Sequence, residues 1–346
     1  MKKKRFARKK PAVRGTRVVV LGGGTGLSSL LRGLREHVVR GPVRLPTKER
    51  PISDLAAIVT VTDDGGSSGR LRRENRMLPP GDIRNCMVAL SKDEALLSRL
   101  FQYRFQAGNG LRGHSFGNLF LAALTHVTGD FAEAVRVSSQ VLAIRGRIFP
   151  STTSNVQLVA TLVNGRRVHG ETNISRSKIP IRKIELSPRR AHALPAAIDA
   201  IQHADLILMG PGSLYTSVIP NLLIPEITQA VIRSRAPRVY IANLMTQPGE
   251  TTHYSLSQHL RAIENHVGTR IFHYVIANRK TISREVAYRY RAGGAETVVI
   301  DRANLAKMKV RLIADDLLEE HEVIRHDSRR LGDLLVREFL LSSRRR

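Results

Sequence analysis

The chain has 346 residues, 42% of them apolar and 25% charged, which suits one large α/β domain or two intimate ones. No run approaches the roughly 20 apolar residues of a membrane-spanning helix, the basic N-terminus lacks the apolar segment of a secretory signal, and the lone Cys86 excludes an internal disulfide framework and a cysteine metal cluster. Of the net charge of +27, residues 1–17 supply nine Lys/Arg and no acid and Arg344–Arg346 three more, so +15 belongs to the body. A soluble, cytoplasmic protein is expected.

In chain order, Arg17–Leu21 is nearly all apolar, as a central parallel strand requires. Leu27, Leu30, Leu31 and Leu34 follow at helical spacing, so a strand, a glycine loop and a helix open the fold. Residues 37–54 hold three prolines and read as a solvent-facing loop; Leu55–Thr62 is a second strand. Helices are predicted over 82–90, 94–103, 116–127 and 131–142. The pattern then turns to β-branched alternation at 156–163, 167–171 and 179–186, with the hairpin signal Asn164-Gly165 between the first two. Residues 148–190 are therefore expected to form a β-rich insertion. Helix and strand resume at 194–202 and 205–209, and recur as the pairs 221–233 with 238–242, 252–264 with 271–277, and 285–292 with 296–300. An amphipathic helix over 330–341 closes the chain. The expected domain plan is a basic tail at 1–16, one Rossmann-like, doubly wound and mostly parallel α/β domain at 17–341, and a basic tail at 342–346.

Four polar loops follow apolar runs: Gly22–Gly26, Thr62–Arg70, Gly210–Ser213 and Asn243–Glu250. In an open parallel sheet such loops line one crevice, where glycine lets backbone N–H groups approach a ligand and the next helix presents its positive end. The first loop departs from the dinucleotide fingerprint, because the G-x-G-x-x-G/A template fails at Leu27 when read from Gly22 and at Ser29 when read from Gly24. Gly23, Gly24, Thr25 and Gly26 form either a tight turn or a phosphate site. Asp63 and Asp64 are adjacent carboxylates that repel unless a cation answers them. Mg²⁺ bound with phosphate oxygens would do so, as would Arg70 or Arg72. Gly65, Gly66, Ser67 and Ser68 resemble an anion nest.

Asp82, followed by Asn85, starts a helix and either caps it or meets a ligand. His114, four residues before Asn118, is a general base or a hydrogen-bonded core histidine. Gly210, Gly212, Ser213, Tyr215 and Thr216 put amides and hydroxyls at a strand end, a combination suited to a pyrophosphate. Asn243 and Thr246 would face the same crevice, and Arg325 could close over an anion. A polybasic tail with Phe6 as its only aromatic can bind polyanions but supports base stacking poorly. No zinc-finger, RNP or KH pattern is present, so specific nucleic-acid binding is not expected. The tail is read as a disordered extension, and the basic body as steering a polyanionic small molecule.

The set GGGTGLSSLLRGL (22–34), TDDGGSSGRLR (62–72), PPGDIRN (79–85), HSFGNL (114–119), GPGSLYTSVIPNLL (210–223) and MTQPGET (245–251) resembles the YvcK-type gluconeogenesis factors of the 2-phospho-L-lactate transferase (CofD-like) superfamily. The match spans about residues 17–330. It implies a Rossmann-like cytoplasmic protein that binds nucleotide-sugars of the UDP-N-acetylglucosamine type and supports cell shape and wall synthesis on gluconeogenic carbon sources. In the transferase branch a phospholactyl group passes from a nucleotide-activated donor to a deazaflavin with Mg²⁺ assistance, and Thr62-Asp63-Asp64 resembles that branch's aspartate pair. The loops 65–70 and 210–216 instead fit the gluconeogenesis-factor branch. The resemblance is compatible with a homo-oligomer and with protein partners in cell-wall synthesis. No nucleophile–base pair can be assembled from the sequence, and no tightly bound organic cofactor is expected.

Overall fold

The computed structural model describes residues 15–39, 51–91 and 94–341; the basic segments at 1–14 and 342–346 lie outside them. β1 (Thr16–Gly22) and β2 (Ile52–Val59) pair in parallel, Val18 opposite Leu55 and Leu21 opposite Ile58. β3 (Arg147–Pro150) adds to β2, also in parallel. Next come β4 (Gln157–Leu162), β5 (Arg167–His169) and β6 (Ile181–Ser187), an antiparallel sheet of its own in the order β5-β4-β6. The chain then returns to the far side of β1 through β7 (Leu206–Met209), β8 (Arg238–Ile241), β9 (Tyr274–Asn278) and β10 (Arg311–Asp315). A hairpin of β11 (Leu318–Glu320) and β12 (Ile324–His326) precedes the helix Ser328–Leu335.

The main sheet runs β10-β9-β8-β7-β1-β2-β3, parallel throughout and flanked by helices. This is the doubly wound architecture expected from the alternating apolar runs and helical patterns. Val18–Leu21 are at most 2% exposed because β1 lies mid-sheet with both faces covered, which is why its sequence is apolar without alternation. The chain moves outward from β1 to β3 and then restarts beside β1 at β7. The topological switch point therefore falls between β1 and β7, where such folds open a crevice at the strands' carboxyl ends.

Two expectations are corrected here. Residues 296–300 form no strand; Thr297 and Val299 make single bridges to Met245 and Ser255, and the sheet's edge is Arg311–Asp315 instead. That edge strand is short, half-buried and flanked by charged residues, so it carries little apolar pattern, whereas β-branched Val298–Ile300 imitates one. The expected insertion at 148–190 also divides. Residues 148–150 belong to β3 of the main sheet, and the antiparallel unit begins at Gln157.

Candidate functional site

The loops after β1 and β7 meet at the switch point. The helix Gly24–Arg35 starts at Gly23, which supplies no side-chain cap, so the first-turn amides beyond Gly24 are left for a ligand. The chain packs so closely here that a Cβ on Gly26 would stand 2.5 Å from the Pro211 carbonyl oxygen. Gly210, at φ +78°, turns the β7 strand end in a conformation that residues with a side chain rarely adopt. Buried Asn221 ties the two loops together, donating through Nδ2 to the carbonyls of Gly22 (3.2 Å) and Ser217 (2.9 Å). Asn243 clamps the next loop to the same turn: its Oδ1 accepts from the Gly212 N–H at 3.0 Å and its Nδ2 donates to the Gly212 carbonyl at 2.9 Å. The result is a cleft of about 390 Å³, within the range of small-molecule sites.

Carboxyls gather beside the cradle, with Arg84 facing Asp82 and Asp63 and Arg72 facing the aspartate pair. Asp82 lies under the first loop and accepts from the Gly24 N–H; burial pushes its pKa up to about 6 against that hydrogen bond, with nearby Asp63 adding to the rise. Glu171, on the helix Glu171–Arg176 of the insertion, lines the cleft. Burial, followed by the charges of Asp63, Asp82, Asp64 and Glu250, pushes it up to about 9. Buried Glu250 is pushed up to about 7 by burial and accepts from Ser175 Oγ at 3.3 Å. Neither arginine proposed to answer the aspartate pair hydrogen-bonds to it, although the charge of Arg72 lies close enough to be felt by both Asp64 and Asp63. Arg70 donates to the Arg112 carbonyl, and Arg72 to Asn155 and to the Val156 carbonyl.

The aspartates themselves divide. Asp63 Oδ1 accepts from the Gly65 N–H at 2.8 Å. Asp64 Oδ1 turns to the insertion, accepting from the Thr172 N–H (2.9 Å) and Thr172 Oγ1 (2.6 Å) at the start of the helix that carries Glu171. Among the described residues no three His, Cys, Asp or Glu side chains form a metal-ligating group. The donor set suits an ion that keeps one or two carboxylates and takes the rest of its shell from phosphate and water.

Of the residues singled out in the sequence, Gly23, Gly24, Thr25, Gly26, Gly212, Ser213, Asn243, Thr246 and Arg325 line one cleft. Others stand behind it as a buried network. Ser67 Oγ meets His114 Nδ1 at 2.9 Å and accepts from Asn118 Nδ2 at 3.1 Å; Ser68 lies beside the same amide. Burial, with Arg70 nearby, holds His114 below the usual histidine range, so it is neutral. Asn85 accepts from Arg84, whose other amino group donates to Ser115. Tyr215 turns away to meet the Tyr254 hydroxyl at 3.0 Å, and Thr216 is buried outside the cleft. Gly65 and Gly66 likewise lie outside its lining.

The cleft also contains residues that sequence reasoning passed over. Ser217, Gln247 and His326 sit within or beside motifs already noted, so adjacency was an available signal. Glu171 had none, because only the fold of the insertion brings it there.

Fold and cleft together define a doubly wound α/β protein with a cleft at the switch point. The chain belongs to the CofD family: the family described as 2-phospho-L-lactate transferase CofD matches residues 18–318. It is 46% identical over 321 residues to the gluconeogenesis factor of Bacillus subtilis, covering 92% of this chain and 97% of that one. The gluconeogenesis factor of Halalkalibacterium halodurans is 45% identical over 320 residues, 92% and 95% of the two chains. Two crystal structures of a UPF0052-family protein from Bacillus halodurans superpose with TM-scores of 0.85 and 0.86 at 43% and 44% identity. Each covers 93% of this chain, and they are covered over 99% and 100% of their own. The resemblance carried by the loop motifs therefore holds. No helix among the described residues is long and apolar enough to cross a membrane.

Proposed function

We propose that the chain is a cytoplasmic regulatory protein that binds a nucleotide-sugar of the UDP-N-acetylglucosamine type and supports cell shape and wall synthesis on gluconeogenic carbon sources. One observation carries the proposal: the uncapped helix Gly24–Arg35 opens at the switch point against the Gly210–Ser213 turn, with Arg325 on the facing hairpin. An uncapped helix start in this position suits a diphosphate. Arg325 supplies the charge that a phosphate-bearing ligand needs. A family described by a phosphate-bearing substrate, and relatives named for gluconeogenesis, point the same way.

Thermal melts with UDP-N-acetylglucosamine, UDP and free N-acetylglucosamine test this. The nucleotide-sugar should raise Tm in a concentration-dependent way, the free sugar should not, and Arg325→Ala should lose most of the rise. Equal responses to all three, or none, would contradict the proposal.

A second reading, a Mg²⁺-dependent transferase acting on a nucleotide-activated donor, is favoured by the carboxyls gathered at Asp63, Asp82 and Glu171, which raise one another's proton affinity. Asp63 would hold the ion together with the ligand's phosphate oxygens, while Asp64 stays committed to Thr172. Bound there, the ion would screen the negative charge of the phosphates. Asp82 would keep the first loop in place through the Gly24 N–H.

A further inference from the structure

We infer that His326 and Gln247 form an acceptor face in the cleft, which selects a neutral hydrogen-bond donor, a hydroxyl or an amide-type N–H, on a phosphate-bearing ligand. The inference rests on the cleft being a phosphate-ester site.

His326 ends β12 and is one of the residues that line the cleft, although it is only 7% exposed. The ring donates to the Ala242 carbonyl, and burial lowers its pKa to about 4, so it is neutral. With Nδ1–H committed to that carbonyl, Nε2 is an acceptor lone pair. It is buried and has no partner among the described residues. Gln247 repeats the arrangement from a loop far away in sequence. Its amide Nε2 donates to Ser213 Oγ at 2.7 Å, which leaves Oε1 buried and also without a partner among the described residues. Both residues line the same cleft.

Buried acceptors in native proteins are nearly always paired, and these two share a ligand cavity. A diphosphate esterified at both ends cannot pair with them, because neither of its phosphates keeps a proton at neutral pH. A carboxylate fails for the same reason. The helix amides of Thr25 and Gly26 and the guanidinium of Arg325 offer only donors. The cleft is thus polarised: one part suits an anion, another requires O–H or N–H. A phosphate ester of a polyhydroxylated or imide-bearing group meets both demands, whereas inorganic pyrophosphate has neither hydroxyl nor N–H and brings to the second only its one residual acidic proton.

Calorimetry on the full chain with Mg²⁺ tests this, using pyrophosphate, UDP and UDP-N-acetylglucosamine as probes against wild type, His326→Phe, His326→Gln and Gln247→Leu. In wild type at least one ester should bind about tenfold or more tighter than pyrophosphate. His326→Phe should remove most of that margin while changing pyrophosphate affinity by less than about twofold, and His326→Gln, which keeps an acceptor, should restore part of it. Retained pyrophosphate binding shows that the cradle is folded; if His326→Phe does not fold, Gln247→Leu should still narrow the margin, with some loss of pyrophosphate affinity because its bond to Ser213 goes too. The inference is overturned if no ester exceeds pyrophosphate, if the margin survives the substitutions, or if pyrophosphate affinity falls in parallel. Should UDP-N-acetylglucosamine bind no better than UDP while the margin still depends on His326, the nucleotide-sugar proposal fails and the acceptor face stands.

Discussion

Gly26 and Pro211 come from loops 185 residues apart in sequence, yet a Cβ on Gly26 would stand 2.5 Å from the Pro211 carbonyl oxygen. That contact closes the switch point and fixes the uncapped helix start against the β7 turn. A methyl group at 26 must push backbone against backbone. Gly26→Ala should therefore lower stability by about 1–3 kcal/mol, the usual cost of overpacking, and weaken ligand binding further by displacing the first-turn amides. Chemical denaturation and calorimetry measure the two effects; an unchanged midpoint with unchanged affinity would show that the loops yield freely.

Asp63 and Asp64 should separate under mutation although they are neighbours. Asp64→Ala leaves the Thr172 N–H and hydroxyl without their acceptor, at a cost of about 1–3 kcal/mol. Amide hydrogen exchange should then accelerate across Glu171–Arg176. Ligand affinity should fall by the same factor with and without Mg²⁺. Asp63→Asn should instead abolish the Mg²⁺-dependent part of binding and leave exchange in that helix unchanged. The opposite pattern would return the metal role to Asp64.

The carboxyl cluster sets the sign of the pH dependence. Asp82, Glu171 and Glu250 have folded pKa values raised to about 6, 9 and 7, so their contribution is fully present below the unfolded carboxylate range and is lost as pH rises through those values. His326 and His114, with lowered values, work in the other direction, but only below about pH 6.5. Between pH 7 and 9 Glu171 acts without them, since Asp82 and Glu250 have largely lost their contribution by about pH 7, and stability should decline in the absence of ligand. Glu171→Gln should flatten that decline and raise stability near pH 9. A variant that follows the wild-type curve across this window would remove Glu171 from the cluster.

The polybasic tail has its own test. Deleting residues 2–14 should leave affinity for a small phosphate ester within about twofold, while any strongly salt-dependent binding to RNA or anionic vesicles should collapse. Loss of small-ligand binding on deletion would place the tail at the cleft.

Much of this architecture was legible in the sequence, because buried parallel strands are apolar without alternation and their loops are polar and glycine-rich. The runs at 17–21, 55–62, 205–209 and 238–242 all overlap strands of the main sheet, the second displaced by three residues from Ile52–Val59, and the loops after β1, β7 and β8 converge. What could not be read was direction and depth. Tyr215 lies in the β7 loop but turns towards Tyr254, because one π-helical turn at Leu214–Val218 sets which hydroxyl faces the cleft, and that hydroxyl is Ser217. Ser67 and Asn118, named as ligand contacts, and His114, read as either a general base or a hydrogen-bonded core histidine, bond to one another behind the cleft. Glu171 reaches the cleft only because Asp64 holds Thr172, and because Gly249 lets the insertion's Ser177 carbonyl approach the fourth loop. Such pairings depend on tertiary contacts that carry no local pattern.

The most direct test of nucleotide-sugar binding is calorimetric titration of the full chain with UDP-N-acetylglucosamine, with and without Mg²⁺, followed by product analysis of the mixture. The account predicts saturable one-site binding, weakened by Arg325→Ala, with the ligand recovered intact. Absence of binding under both conditions would contradict it, and recovery of a cleaved or transferred product would replace the regulatory protein with a transferase.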